Sequence, residues 1–279
     1  MNTQASRFTS YVSRPAARPS GRAFTMIEIA ISLAVIGFAL VAILGVLPLG
    51  LNVQKENREQ TIINQDATVF INAIRNGAQG MDDLTHYVMA ITNYQAYYNS
   101  KGTHQGGHTN WYTPSDSGPR AGNSPSFPLN SGFRIVGLLS TPKYLPFAGG
   151  FFSNYVVAAV RSLSGDVSDK FPQTNTSLQD LAFSYRMIPD VVTFGTTYYN
   201  QSWSNPMSPN LSNNLHDVRL TFRWPLAQGT KAPGRQVYRT LAGGFLQQTN
   251  EPGFLKPNSV VPSQYDLYFF EPQAFVKAP

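Results

Sequence analysis

The chain has 279 residues, 42% of them hydrophobic and only 13% charged, with a formal net charge of +6 and no cysteine. That suits one sizeable domain plus an anchor, or two small domains, and excludes wholesale disorder, disulfides, thiolate zinc sites and cysteine nucleophiles. The charge does not indicate nucleic acid: Arg7, Arg14, Arg18 and Arg22 all precede the first apolar run, and without those four the 21 basic residues fall to 17, against 15 acidic. A balance of about +2 is no footprint for a phosphate backbone, so no nucleic acid is expected as a partner.

In chain order, residues 1–23 form a basic leader without an acid, followed by "AFTMIEIAISLAVIGFALVAILGVLPLGL". From Ile29 to Leu51 no residue is charged. These roughly 23 positions span about 35 Å as a helix, enough to cross a bilayer and longer than the apolar region of a cleavable secretory signal. By the positive-inside rule the leader stays cytoplasmic and everything after Leu51 lies across the membrane. Glu28 is the anomaly, because a carboxylate inside such a segment is costly and usually has a positive partner. An α-amino group would serve, and a cut just before Phe24 creates one.

The stretch "AFTMIEIAISLAVIGFALVAIL" resembles the amino terminus of the type IV pilin and pseudopilin superfamily. Its continuation "FALVAILGVLPLGLNVQKENREQT" resembles, more narrowly, the Verru_Chthon cassette protein B family. The resemblance implies cleavage between Ala23 and Phe24 by a prepilin peptidase and N-methylation of Phe24. It also implies that Glu28 pairs with the Phe24 amine of a neighbouring subunit during assembly. The departure is Ala23, where the family usually has glycine. Implied partners are the peptidase, other pilin-like subunits through the amino-terminal helix, an inner-membrane assembly platform and the lipid bilayer. The implied location is the bacterial inner membrane, single-pass, with the carboxy-terminal domain periplasmic or carried in a filament.

Residues 24–51 are thus read as a transmembrane and assembly helix, in which Pro48 and Gly50 predict a kink or short unwound stretch. Residues 52–80 are read as its amphipathic continuation. Val53, Ile63, Ala67, Phe70, Ile71, Ile74 and Ala78 recur at spacings of three and four, with Lys55, Glu56, Arg58, Glu59 and Asp66 largely between them. The helix is expected to end near Gly77 or Gly80. "MDDLTHYVMAITNYQAYY" is expected to form a further helix. The Gly-, Ser- and Pro-rich segment 99–131 is expected to be a long surface loop that carries His104 and His108 without a third metal ligand.

The rest of residues 81–279 is read as a β-rich globular domain. In "DVRLTFRW", Val218, Leu220, Phe222 and Trp224 alternate with Arg219, Thr221 and Arg223. "NYVVAAVRSL", "LAFSYRMI" and "RQVYRTLAG" are further strands, and "SGFRIVGLLS" is placed at a sheet edge. "AQGTKAPG" joins two strands as a long hairpin. The predicted fold class is therefore α+β: a long amino-terminal helix, half in the membrane and half packed on an antiparallel sheet. Tyr238, Phe245, Phe254, Tyr265, Tyr268, Phe269 and Phe270 are assigned to core, with an exposed gripping tip as the alternative.

Catalytic motifs are not evident, and neither a cofactor nor a metal site is expected. The adjacent Asp82–Asp83 pair is explained as well by a helix start or a calcium contact as by acid–base chemistry. Two functions fit: a processed filament subunit of a pilus or type II secretion-like machine, or a singly anchored periplasmic binding module that does not polymerise.

Overall fold

A computed structural model describes residues 24–77, 80–115, 127–147, 149–164, 183–195, 197–199, 202–204, 209–226, 234–250 and 266–277. The leader arginines, Ala23, Ala78, Phe254, Tyr265 and the "AQGTKAPG" connection, apart from its last residue, Gly234, lie outside them. The chain divides into two compact units between Lys55 and Glu56.

The first helix, α1, runs from Met26 to Arg75. Within the amino-terminal unit its apolar side chains are exposed all round, from Phe24 and Ile27 through Phe38 to Leu49. Pro48 and Gly50 lie inside this helix and not in an unwound stretch. Proline brings no N–H to the Leu44 carbonyl, so one helical hydrogen bond is lost there and the turns on either side hold the geometry. A helix so apolar on every face is long and greasy enough to span a membrane.

In the second unit α1 buries one stripe: Ile62, Ile63, Asp66, Ala67, Phe70, Ala73 and Ile74. The predicted amphipathic pattern is present from Ile63 to Ile74, but Val53, expected on the stripe, is exposed, and there is a further difference. Asp66 sits on the buried stripe and is fully enclosed. The helix stops at Gly77, whose φ of 55° is the left-handed turn that favours glycine. The Gly77 N–H donates to the Ile74 carbonyl at 3.1 Å. A Cβ at Gly77 would stand 2.2 Å from the Phe270 carbonyl oxygen. Gly77→Ala is therefore expected to destabilise the domain by about 1–3 kcal/mol, read as a lower urea midpoint. An unchanged midpoint would contradict this close approach.

Beyond α1 a 3₁₀ turn, Asp82–His86, leads into strand β1, Val88–Asn99. This corrects the helix expected for "MDDLTHYVMAITNYQAYY". The segment is rich in β-branched and aromatic residues, which suit a pleated surface. Its inward positions include Asn93 and Gln95, so hydrophobic alternation was hidden. Both amides are buried and donate to Asn154 Oδ1, at 3.3 Å and 3.0 Å. Strand β2, His104–Tyr112, pairs antiparallel with β1 and replaces part of the expected loop. Its glycines read as loop, yet Gly107 lets the strands meet: a Cβ there would lie 2.5 Å from the Gln95 carbonyl oxygen.

"SGFRIVGLLS" is a helix, α2, Gly132–Leu139, and not an edge strand. Ser131 caps it by accepting from Arg134 N, and Asp82 Oδ1 accepts from Gly132 N at 2.7 Å. A short apolar run cannot be told apart as strand or helix by periodicity alone, and the cap decides here. The remaining strands are β3 Tyr144–Phe147, β4 Gly150–Arg161, β5 Ser184–Thr193, β6 Thr197–Tyr199, β7 Ser202–Ser204, β8 Leu215–Trp224, β9 Gly234–Gly243, β10 Phe245–Asn250 and β11 Asp266–Glu271, with a short helix α3, Pro209–Asn214, before β8. Among the described residues seven strands form one sheet in the order β2-β1-β4-β5-β8-β9, with β3 beside β4. Its strand ladders are antiparallel, and β10–β11 and β6–β7 form separate pairs. The predicted strands at β4, β5, β8 and β9 are all present.

The core lies on one face of the large sheet, beneath the second half of α1, α2 and β11. It joins Ile63, Phe70 and Ile74 of α1 to Val218, Leu220 and Phe222 of β8, and to Phe269 and Phe270 of β11. Tyr268, Phe269 and Phe270 are buried, as their core assignment required, while Tyr238 and Phe245 are half-buried. The unit is α+β, a helix laid on an antiparallel sheet.

Candidate functional site: the amino end of the first helix

Phe24 and Thr25 precede the helix, and Glu28 falls in its first turn. The four residues Thr25-Met26-Ile27-Glu28 form a capping box. Thr25 Oγ1 accepts from Glu28 N at 3.3 Å, and Thr25 N approaches Glu28 Oε2 at 3.5 Å. Two backbone donors that a helix start leaves unpaired are thereby addressed. The carboxylate also stands at the positive end of the helix dipole. Ser32 Oγ donates to the Glu28 carbonyl at 2.7 Å, fastening the next turn. The T-x-x-E spacing is legible in the sequence, and it supplies a local role for Glu28 besides the intersubunit one that the resemblance implies.

Phe24 and Glu28 therefore lie one turn apart at the start of an exposed apolar helix. Phe24 is 75% exposed, and neither residue is enclosed by the chain itself. Ala23, the other half of the expected cleavage pair, lies outside the described residues. Pro48 and Gly50 are about 30 Å further along the same helix at 1.5 Å per residue.

The other candidates do not converge on a site. His104 and His108 lie on strand β2, where His104 stacks edge-on against Tyr98 at 5.5 Å and His108 pairs in register with Gln95. Asp82 serves the start of α2. His216 is buried on β8 against Phe270, and burial lowers its pKa to about 4, so it is a neutral core residue at pH 7. Among the described residues no group of three metal-ligating side chains comes together.

One polar cluster escaped the sequence reading. Asp66 accepts from Leu163 N at 2.9 Å, Ser164 N at 3.0 Å, Ser164 Oγ at 2.6 Å and Tyr185 OH at 2.8 Å. Burial raises its pKa above the ordinary 3.8, partly offset by those hydrogen bonds. Burial also raises Tyr185, and the nearby Asp66 charge raises it further. Helical spacing could have found Asp66, since it stands four residues after Ile62 and four before Phe70, on the apolar stripe. The cluster pins α1 to the turn after β4 and to β5. Trp224 Nε1–H donating to Glu59 at 3.0 Å, and Tyr238 OH bonding Asn64, fasten the same helix to β8 and β9.

No protein-family model, curated protein or solved structure matches this chain.

Proposed function

We propose that this chain is a membrane-anchored, pilin-like structural subunit, cut between Ala23 and Phe24 and carried by its amino-terminal helix into a filament of a pilus or type II secretion-like machine. The observation that carries this reading is a carboxylate one turn inside an otherwise uninterrupted apolar helix, next to the position where a new amine would form. In lipid, pairing Glu28 with an amine on a neighbouring subunit offsets the cost of placing the carboxylate there. An unpaired copy bears that cost, so the acid favours assembly over solitary residence. A helix-on-sheet domain beyond the membrane supports the same reading. The peptidase and the other subunits are its partners, and the bacterial inner membrane is its location.

A singly anchored binding module is the second reading. The capping box favours it, because Glu28 already has work within its own helix.

Mass spectrometry of the mature amino terminus in the native host tests the proposal. N-methyl-Phe24 is expected, and Glu28→Ala is expected to keep the cut while incorporation into cross-linked filaments falls about ten-fold or more. A mature protein that begins elsewhere, or a variant incorporated as well as the parent, would overturn it.

A further inference from the structure

The face of the sheet turned away from α1 has an unusual row. Ala90, Ala159, Arg186, Arg223 and Arg235 are successive register partners on β1, β4, β5, β8 and β9. Directly opposed residues of an antiparallel ladder share a face, so three exposed guanidinium groups follow one another at strand spacings of about 4.8 Å. Like charges directly opposed weaken a sheet, and among the described residues no ion pair engages these three. The neighbouring basic residues behave differently. Arg239 Nε meets Asp217 at 2.8 Å, Arg219 meets the same carboxylate at 3.6 Å, and Lys143 meets Asp190 at 3.1 Å. Among the described residues the adjoining cations are neutralised and this row is left open.

Where the row reaches β1 and β4 the face sinks into a trough of about 650 Å³. Ala90, Ala159 and Val157 floor it, Tyr94 and Tyr155 stand on one side, and Arg186 stands on another. The two tyrosines are cross-strand partners with ring centroids 6.1 Å apart, and each is nearly half exposed. Trp111, on the edge strand β2, pairs with Thr92 of the trough and is also exposed. One track thus crosses the sheet for about 24 Å, aromatic at its β2 end and cationic at its β9 end.

We infer that this track binds an acidic polysaccharide, with neutral sugar rings lying on Tyr94 and Tyr155 and sugar carboxylates forked by Arg186 and Arg223. Tyrosine over a small-residue floor offers a flat apolar surface to the C–H face of a sugar. Arginine matches a carboxylate with two parallel N–H donors. A peptide strand fits less well, since the trough lies in mid-sheet where the backbone groups are already paired and main-chain recognition needs a free edge. A phosphodiester chain fits less well, since the open cationic strip is only one residue wide and neutralised residues flank it.

Titration calorimetry on the full chain in detergent micelles tests this, independently of any assembly. The probes are a short hyaluronan oligosaccharide, which alternates acidic and neutral sugars, a neutral chitin oligosaccharide of equal length, and an oligothymidylate. Hyaluronan is expected to bind best. Arg186→Gln or Arg223→Gln is expected to weaken it about ten-fold each, and Tyr155→Ala about as much. Lys101→Gln, which removes one charge at the far end of the β1–β2 hairpin, is expected to leave binding unchanged. Melting temperatures of the variants separate lost binding from lost folding. Tighter binding of oligothymidylate overturns the proposal in favour of a nucleic acid. Absence of hyaluronan binding, or binding indifferent to Arg186, Arg223 and Tyr155, also overturns it.

Discussion

Asp66→Ala is expected to unfold much of the carboxy-terminal unit's stability reserve, lowering it by about 3–5 kcal/mol. The substitution leaves Leu163 N–H, Ser164 N–H and the Tyr185 hydroxyl facing a buried methyl group, while the Ser164 hydroxyl keeps the Ile62 carbonyl at 3.3 Å, and each orphaned donor costs about 1–3 kcal/mol before relaxation. A domain of this size rests on a margin of about 5–15 kcal/mol, so a loss of this size is a large part of it. Tyr185→Phe removes one donor and keeps the ring that packs on Phe222 at 5.4 Å, so it should cost only about 1 kcal/mol. If the cluster acts as one unit, the double variant should be less destabilised than the sum of the single ones. Urea unfolding of the four proteins in the same detergent measures all three quantities. An Asp66→Ala midpoint close to the parent's would show that α1 is held by its apolar stripe alone.

Acidification from pH 7 to pH 4 is expected to cost the domain about 3 kcal/mol through His216 alone. Its pKa falls from the ordinary 6.5 to about 4 on folding, because burial disfavours the imidazolium. Between those values the unfolded chain takes up a proton and the folded chain does not. The stabilisation is therefore fully present above pH 6.5 and is lost as the pH falls towards 4, by about 1.4 kcal/mol per unit. Asp66 works in the opposite sense. Its raised pKa adds stability below 3.8 that is lost as pH rises through the folded value. The comparison that isolates His216 is with His216→Leu, which keeps an apolar contact for Phe270 and removes an Nδ1 that has no partner among the described residues. The difference between the two stability–pH curves should open by about 3 kcal/mol across that window. Parallel curves would show that His216 is solvated in the folded chain.

Local order fixed much of what could be read from residues in a row. The apolar segment Ile29–Leu51, the alternation of "DVRLTFRW" and the stripe Ile63–Phe70–Ile74 each have a period that one element satisfies by itself, and those elements stand where expected. The T-x-x-E cap at Thr25 and Glu28 was equally local and needed only the capping rule to be applied. Errors fell where the deciding partner lay far along the chain. Asn93 and Gln95 look outward-facing until Asn154 is beside them, and the glycines of β2 look like loop until β1 lies against them. Asp66 looks solvated until residues about a hundred positions later surround it.

The arginine row is the extreme case. Arg186, Arg223 and Arg235 are scattered in sequence and meet only because strand register places them side by side. Sequence alone determined the apolar helix with its single acid, and the helix-plus-sheet class, because both follow from hydrophobic period and length. Tertiary structure decided which polar groups are enclosed and which charges become neighbours, because pairing and burial depend on partners that no local window contains.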